Sequence, residues 1–213
     1  MLYRKIDSYI EDHLRSDSDK ILLLDGARQI GKSYIIRTVG QRVYKNYVEI
    51  NFAEDKEGEK IFENIHKKED FYLILGMVAG QQLNTYEDTL VFLDEIQEYP
   101  QYLTMLKFLR EDRRYHFIAS GSLLGVTLNV TTSIPVGSVI VKQMFQLDFE
   151  EFLIANGVGS DAIASLRDKF EKKESLSSEQ HNKMIDLFRR YLLVGGLPDA
   201  VNIYLETHNI VKV

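Results

Sequence analysis

The chain has 213 residues, 45% of them hydrophobic and 27% charged, the balance of a soluble globular protein with one well-packed domain or a core plus a small appendage. A formal net charge of −6 argues against broad, sequence-independent nucleic-acid binding by this chain alone, which needs a basic surface, and leaves only a local basic patch open. With no cysteine and five scattered histidines, disulfides and thiolate metal sites are excluded and no zinc spacing is present.

Leu2, Ile6, Ile10 and Leu14 recur at helical spacing, which predicts an opening amphipathic helix. The first fifteen residues are charged, unlike a signal peptide, and no apolar run reaches the length of a membrane span. A cytoplasmic protein without membrane contact is therefore expected. Asp17-Ser18-Asp19 reads as a turn into a buried strand, Ile21 to Asp25. The next residues, Gly26-Ala27-Arg28-Gln29-Ile30-Gly31-Lys32-Ser33, fit G-x-x-x-x-G-K-[ST], the Walker A phosphate loop. Its glycines admit backbone conformations closed to other residues, so successive N–H groups can turn toward an anion. A helix opening at Lys32 adds unpaired donors and the positive end of its dipole. Lys32 would reach the β- and γ-phosphates and the Ser33 hydroxyl would ligate Mg²⁺, with Tyr34 completing the contact segment.

That helix is expected to end at Gly40. Tyr47 to Phe52 alternates as a second strand, Ala53 to Glu59 reads as an acidic loop, and helices are expected at Ile61 to His66 and Phe71 to Leu83. In the latter, Gly76 and Gly80 suggest close approach by another element. Thr89-Leu90-Val91-Phe92-Leu93-Asp94-Glu95 is a continuous apolar run ending in two carboxylates, as in a strand buried on both faces. Pro100 starts a helix with Leu103, Leu106, Phe108 and Leu109 apolar, and His116 to Ser120 is a further strand. A Ser/Thr-rich connection leads to Val139-Ile140-Val141, which continues the sheet. Strands alternating with helices indicate an α/β fold with a mostly parallel sheet. From Asp148, placed to cap a helix that Gly157 and Gly159 close, the pattern turns helical through Met184 to Val194 and a last helix after Pro198. Residues 1–147 thus read as a nucleotide-binding core and 148–213 as a small helical lid.

Asp94 and Glu95 end a predicted parallel strand, where ligands bind in open α/β sheets. An apolar strand, an Asp for the Mg²⁺ shell and a following Glu make a Walker B pattern, in which Glu95 would orient and deprotonate the attacking water. Ser120 ends the next strand and could contact the γ-phosphate or the lytic water, or serve only the Ser-Gly-Ser turn. Gln97 is expected to be a solvated helix-start glutamine.

Gly-Ala-Arg-Gln-Ile-Gly-Lys-Ser, Leu-Asp-Glu-Ile-Gln, Ala-Ser-Gly-Ser, Ile-Pro-Val-Gly-Ser, Asp-Phe-Glu-Glu-Phe-Leu and Gly-Gly-Leu-Pro-Asp-Ala-Val follow in order along nearly the whole chain. The series resembles the prokaryotic AAA-superfamily P-loop ATPases whose core is followed by a C-terminal domain with a nuclease-like fold. The resemblance implies a three-layer αβα core, nucleotide binding on Gly26 to Ser33, and Mg²⁺ and water activation at Asp94 and Glu95. It also implies that the sequence stops at Val213, where that further domain would begin. AAA-type enzymes usually receive an arginine finger from the region after the strand that Ser120 ends, yet no arginine occurs between Arg114 and Arg167. Arg113 and Arg114 precede that strand, and Arg189 and Arg190 lie in the lid. The expectation is an ATP hydrolase that couples turnover to its lid, to a homo-oligomer or to a C-terminal effector. The competing readings are a nucleotide-dependent switch that binds ATP with negligible hydrolysis and a small-molecule kinase.

Overall fold

Alternation along the strands builds the layers. The computed structural model describes residues 2–16, 18–122 and 137–213; Asp17, the Ser/Thr-rich connection and Ile134-Pro135-Val136 lie outside the described residues. Strands β1 (Ile21–Asp25), β2 (Asn46–Asn51), β3 (Thr89–Asp94), β4 (His116–Gly121) and β5 (Val139–Gln143) form one sheet in the order β2-β3-β4-β1-β5, with every pairing parallel. Ile21 and Leu23 of β1 and Val91 and Leu93 of β3 face one layer, which holds α4 (Lys68–Ala79) and α5 (Gln101–Asp112). Leu22 and Leu24, with Leu90 and Phe92, face the other, packed by α1 (Ile6–Arg15) and α2 (Lys32–Val43). The period of two along each strand thus buries both faces, as the unbroken apolar run of β3 requires. Leu90, Val91, Phe92 and Leu93 are fully buried, each side chain contributing roughly 1.5–3 kcal/mol of transfer free energy.

Several local expectations are corrected. The first helix begins at Ile6, and Leu2 packs instead beside the helical cluster of the C-terminal residues. Gly40 does not end α2, which runs to Val43. A Cβ at Gly40 would lie 2.9 Å from both Leu90 Cδ2 and the Tyr47 ring, so the glycine lets α2 lie close on β2 and β3. The acidic loop is a short helix, α3 (Phe52–Glu57), because the Asn51 carboxamide oxygen accepts from the N–H groups of Ala53 and Glu54 at 3.0 and 3.2 Å. Residues 61–64 form a turn rather than a helix. There the Asp55 carboxylate accepts from the Ile61 and Phe62 N–H groups at 2.9 and 3.1 Å, which competes with helical bonding. Gly76 faces open space, and no close approach occurs there.

The described residues divide into two compact units, one within residues 6–144 and the other comprising residues 2–5 with 145–213. The second holds α6 (Phe149–Ala155), α7 (Ser160–Glu171), α8 (Ser178–Val194) and α9 (Pro198–Thr207) around Leu147, Phe152, Val194, Val201 and Tyr204. Asp148 caps α6 as expected, accepting from Glu151 N–H at 2.8 Å while the Glu151 carboxylate accepts from Asp148 N–H at 3.1 Å. The same Glu151 carboxylate pairs with Arg4 at 3.3 Å, both side chains being almost wholly buried. Among the described residues, no helix is long and apolar enough to cross a membrane.

Candidate functional site

Parallel register brings the chemistry to one edge of the sheet. Asp25 is level with Gly121 and with Gln143, and Asn51 is level with Asp94. The loop that begins at Gly26 leaves that edge after Asp25 and re-enters structure at the first turn of α2. Gly31 has φ +92°, the left-handed region that L side chains avoid. Gln29 is left-handed too, at φ +63°, the kind of backbone that lets successive N–H groups turn toward an anion. Gly26 serves differently: a Cβ there would run into the carbonyl oxygen of Met144 and come within 2.6 Å of Ile30 Cδ1. Only a residue without a side chain lets β1 pass that close to the end of β5, where Met144 N–H donates to Asp25 O at 2.7 Å.

Lys32 is 4% exposed. Its Nζ donates to Gly26 O at 3.0 Å, Ala27 O at 2.8 Å and Ser122 Oγ at 2.9 Å, so all three protons are satisfied within the site. Burial pulls its pKa below the ordinary lysine value, and the carboxylates of Glu95, Asp94 and Asp25 pull it back up. Asp94 shows the converse. Burial raises its pKa, and hydrogen bonds from the Ser120 and Ser33 hydroxyls lower it. Ser33 of the loop and Asp94 of β3 are thus in contact, a pair of oxygen donors that suits a hard divalent cation whose remaining ligands are water and phosphate. Among the described residues no group of three or more His, Cys, Asp or Glu side chains gathers to hold a metal by itself.

Glu95 follows Asp94 in the left-handed region, φ +52°, a conformation costly for a residue with a Cβ and concentrated at functional sites. Its N–H donates to Asp94 Oδ1 at 3.0 Å, and its Oε1 lies 3.4 Å from Ser122 Oγ. Gln97 donates through Nε2 to Glu95 Oε2, and its Oε1 accepts from Ser122 N–H at 3.0 Å. The expected solvated glutamine is therefore a half-buried bridge between two strand ends. Ser120 is fully buried with its hydroxyl directed at Asp94, whereas Ser122, two residues on, is the hydroxyl that meets Lys32 and Glu95. Sequence reasoning passed over Ser122 and discounted Gln97. The only signal for either was its spacing, two residues past a strand-terminal polar group.

The other loop residues divide by exposure. Ala27, Arg28 and Gln29 are exposed and Ile30 is buried under the α2 face. Arg28 lies 3.7 Å from Glu98. Tyr34, in the first turn of α2, is half exposed. Arg113 and Arg114 lie over the rings of Tyr86 and Tyr72, at 5.4 and 4.5 Å from the centroids. Arg190 pairs with Asp186 at 2.6 Å and donates to Tyr204 Oη at 3.2 Å, while Arg189 is exposed.

A profile of the AAA domain family matches residues 18–153, from the strand before the loop to the helix that Asp148 caps. The chain belongs to the AAA domain family. Membership gives it the general character of an ATPase-type nucleotide-binding domain. Solved AAA-type structures share its fold. PCH-2 of C. elegans is 15% identical over 99% of this chain and 69% of that one, with a TM-score of 0.54. Hsp104, in a closed state with ATPγS and FITC casein, is 16% identical over 94% of this chain and 35% of that one, at 0.52. AMPPCP-bound DnaA from Aquifex aeolicus is 12% identical over 100% and 63%, at 0.51. No curated protein matches the AAA chain in sequence.

Proposed function

We propose that this AAA chain binds ATP together with Mg²⁺ and hydrolyses it, with Gly26 to Tyr34 as the nucleotide-contacting segment and Asp94 and Glu95 as its acids. The observation that carries the reading is the convergence of Lys32, Ser33, Asp94, Glu95 and Ser122 at one sheet edge beneath the loop. Lys32 rests on two loop carbonyls, so its charge is already placed where phosphate oxygens would replace those partners. The choice of ATP is supported by the ATP analogues held by Hsp104 and DnaA, whose folds are similar.

Ser33 and Asp94 would hold Mg²⁺, which when bound would neutralise phosphate charge and add positive charge beside the buried Asp94 carboxylate. Glu95 accepts the proton of the attacking water as the new bond to the γ-phosphorus forms and the bond to the β–γ bridging oxygen breaks, releasing ADP and inorganic phosphate. Ser120 acts through Asp94, holding that carboxylate in place from β4. Residues 148–213 serve as the lid to which turnover is coupled, and a second copy or an additional effector domain completes the active enzyme. The test is Glu95→Gln, which is nearly isosteric but accepts no proton. It is expected to keep Mg·ATP affinity and to lose about 10²–10⁴-fold in single-turnover hydrolysis. Hydrolysis at the parent rate removes Glu95 from the role of base.

A further inference from the structure

We infer that Gln97 is a positioning residue that fixes the carboxylate of Glu95 and ties it to the end of β4. The inference rests on the reading of Glu95 as base. Three observations carry it.

The first is the orientation of the carboxamide. Ser122 N–H can only donate, so it faces Oε1 of Gln97, and Nε2 is left to donate to the Glu95 carboxylate. Both ends of the amide are thereby assigned by their partners. The second is how firmly Gln97 is presented. It sits in a single 3₁₀ turn, Ile96–Glu98, closed by Glu98 N–H to Glu95 O at 3.0 Å and Tyr99 N–H to Ile96 O at 3.3 Å. Ile96 and Tyr99 anchor that turn in the core. The third is the division of labour on Glu95. Gln97 occupies Oε2, Asp94 accepts from the Glu95 N–H, and Oε1 is the oxygen left toward Ser122 and Lys32.

The consequence is mechanistic. A donor on Oε2 fixes the orientation of the carboxylate and leaves Oε1 turned toward Ser122. Gln97 also grips the Ser122 backbone. When Lys32 leaves Ser122 Oγ for a phosphate, the serine and the glutamate stay in register through the amide. Removing Gln97 therefore disturbs the chemical step and leaves nucleotide binding, which is the work of the loop, largely intact.

The test is the split between kcat and KM for Mg·ATP in the full chain, measured for the parent, Gln97→Leu, Glu95→Gln and the double variant. Gln97→Leu is expected to lower kcat by up to about 10²-fold, the cost of a misplaced catalytic group. KM should change little. On the Glu95→Gln background the same change should have no further effect. Parental kcat in Gln97→Leu, with Glu95→Gln inactive, overturns the inference and leaves the base in place. An equal loss on both backgrounds shows that Gln97 acts elsewhere and also overturns it. Parental hydrolysis by Glu95→Gln overturns the base and the inference together. If Gln97→Leu fails to fold by circular dichroism, the isosteric Gln97→Glu carries the same test. It keeps the shape but sets a second carboxylate against Glu95 in place of a donor, so its kcat should fall with KM little changed.

Discussion

Gly26→Ala is a change of one methyl group that the structure makes expensive. The new Cβ would overlap the carbonyl oxygen of Met144 and stand 2.6 Å from Ile30 Cδ1 and 3.3 Å from the Met144 carbonyl carbon. Ile30 can turn its terminal methyl aside, but a backbone carbonyl at the end of a paired strand cannot. Relief must come from separating Asp25 from Met144, whose backbone hydrogen bond is 2.7 Å. Overpacking of this kind costs about 1–3 kcal/mol, and the rigid partner puts Gly26→Ala toward the upper end. For a chain of this size each kcal/mol shifts Tm by about 2–4 °C, so a fall of roughly 4–12 °C is expected. The loop is displaced with the strand, so affinity for Mg·ATP should fall as well. Thermal unfolding by circular dichroism and titration with a fluorescent ATP analogue measure the two effects. The double variant Gly26→Ala/Ile30→Ala should not recover the lost affinity, because it leaves the contact with Met144. Parental Tm and parental affinity in Gly26→Ala would refute the steric reasoning.

Two other predictions concern pH and rate. Burial lowers the pKa of His116 to about 4, helped by the charges of Arg113 and His13 and opposed by Glu87, and its ring lies 3.9 Å from that of Tyr86. A histidine held neutral in the fold contributes no loss above its unfolded value near 6.5. As pH falls from there toward 4 the unfolded chain takes up the proton first, and up to about 3 kcal/mol is lost. Urea midpoints at pH 7 and pH 4.5 should therefore converge in His116→Phe relative to the parent, and an unchanged difference contradicts this. For the rate, arginine fingers contribute about 10³–10⁵ in other nucleotide hydrolases, whereas Arg28, Arg37, Arg42 and Arg110 pair with carboxylates and Arg113 and Arg114 lie over tyrosine rings. Phosphate release by the isolated chain should be far below about one turnover per second. A fast rate that is insensitive to Arg189→Ala and Arg190→Ala would show that the site is completed in another way.

Much of the site was legible because its chemistry is contiguous in sequence. Gly26 to Ser33 encodes strand exit, loop and helix start in one run, and Thr89 to Glu95 does the same for a buried strand and its acids. The sheet was legible for a similar reason: apolar runs without alternation mean burial on both faces. What escaped was set by tertiary contact. Gly40 reads as a stop and is instead a close-packing position, since only Leu90 and Tyr47 across the layer reveal the lack of room. Ala53 to Glu59 reads as loop because nothing in it is apolar and periodic, yet Asn51 caps Phe52–Glu57 into a helix. Ser120 was favoured over Ser122 because it ends the apolar run. The sheet register turns Ser120 inward to Asp94 and puts Ser122 just past the strand, where Lys32 and Glu95 meet.

The central claim is that Lys32 supplies the positive charge of a phosphate site. Calorimetric titration of Mg·ATP into the parent chain and into Lys32→Ala, each confirmed as folded by circular dichroism, tests it most directly. Truncating a buried charged hydrogen-bond partner costs about 2–5 kcal/mol, so the parent should bind with a clear isotherm and Lys32→Ala should bind at least roughly 30-fold more weakly. Equal affinity in the two proteins would contradict the account at its root.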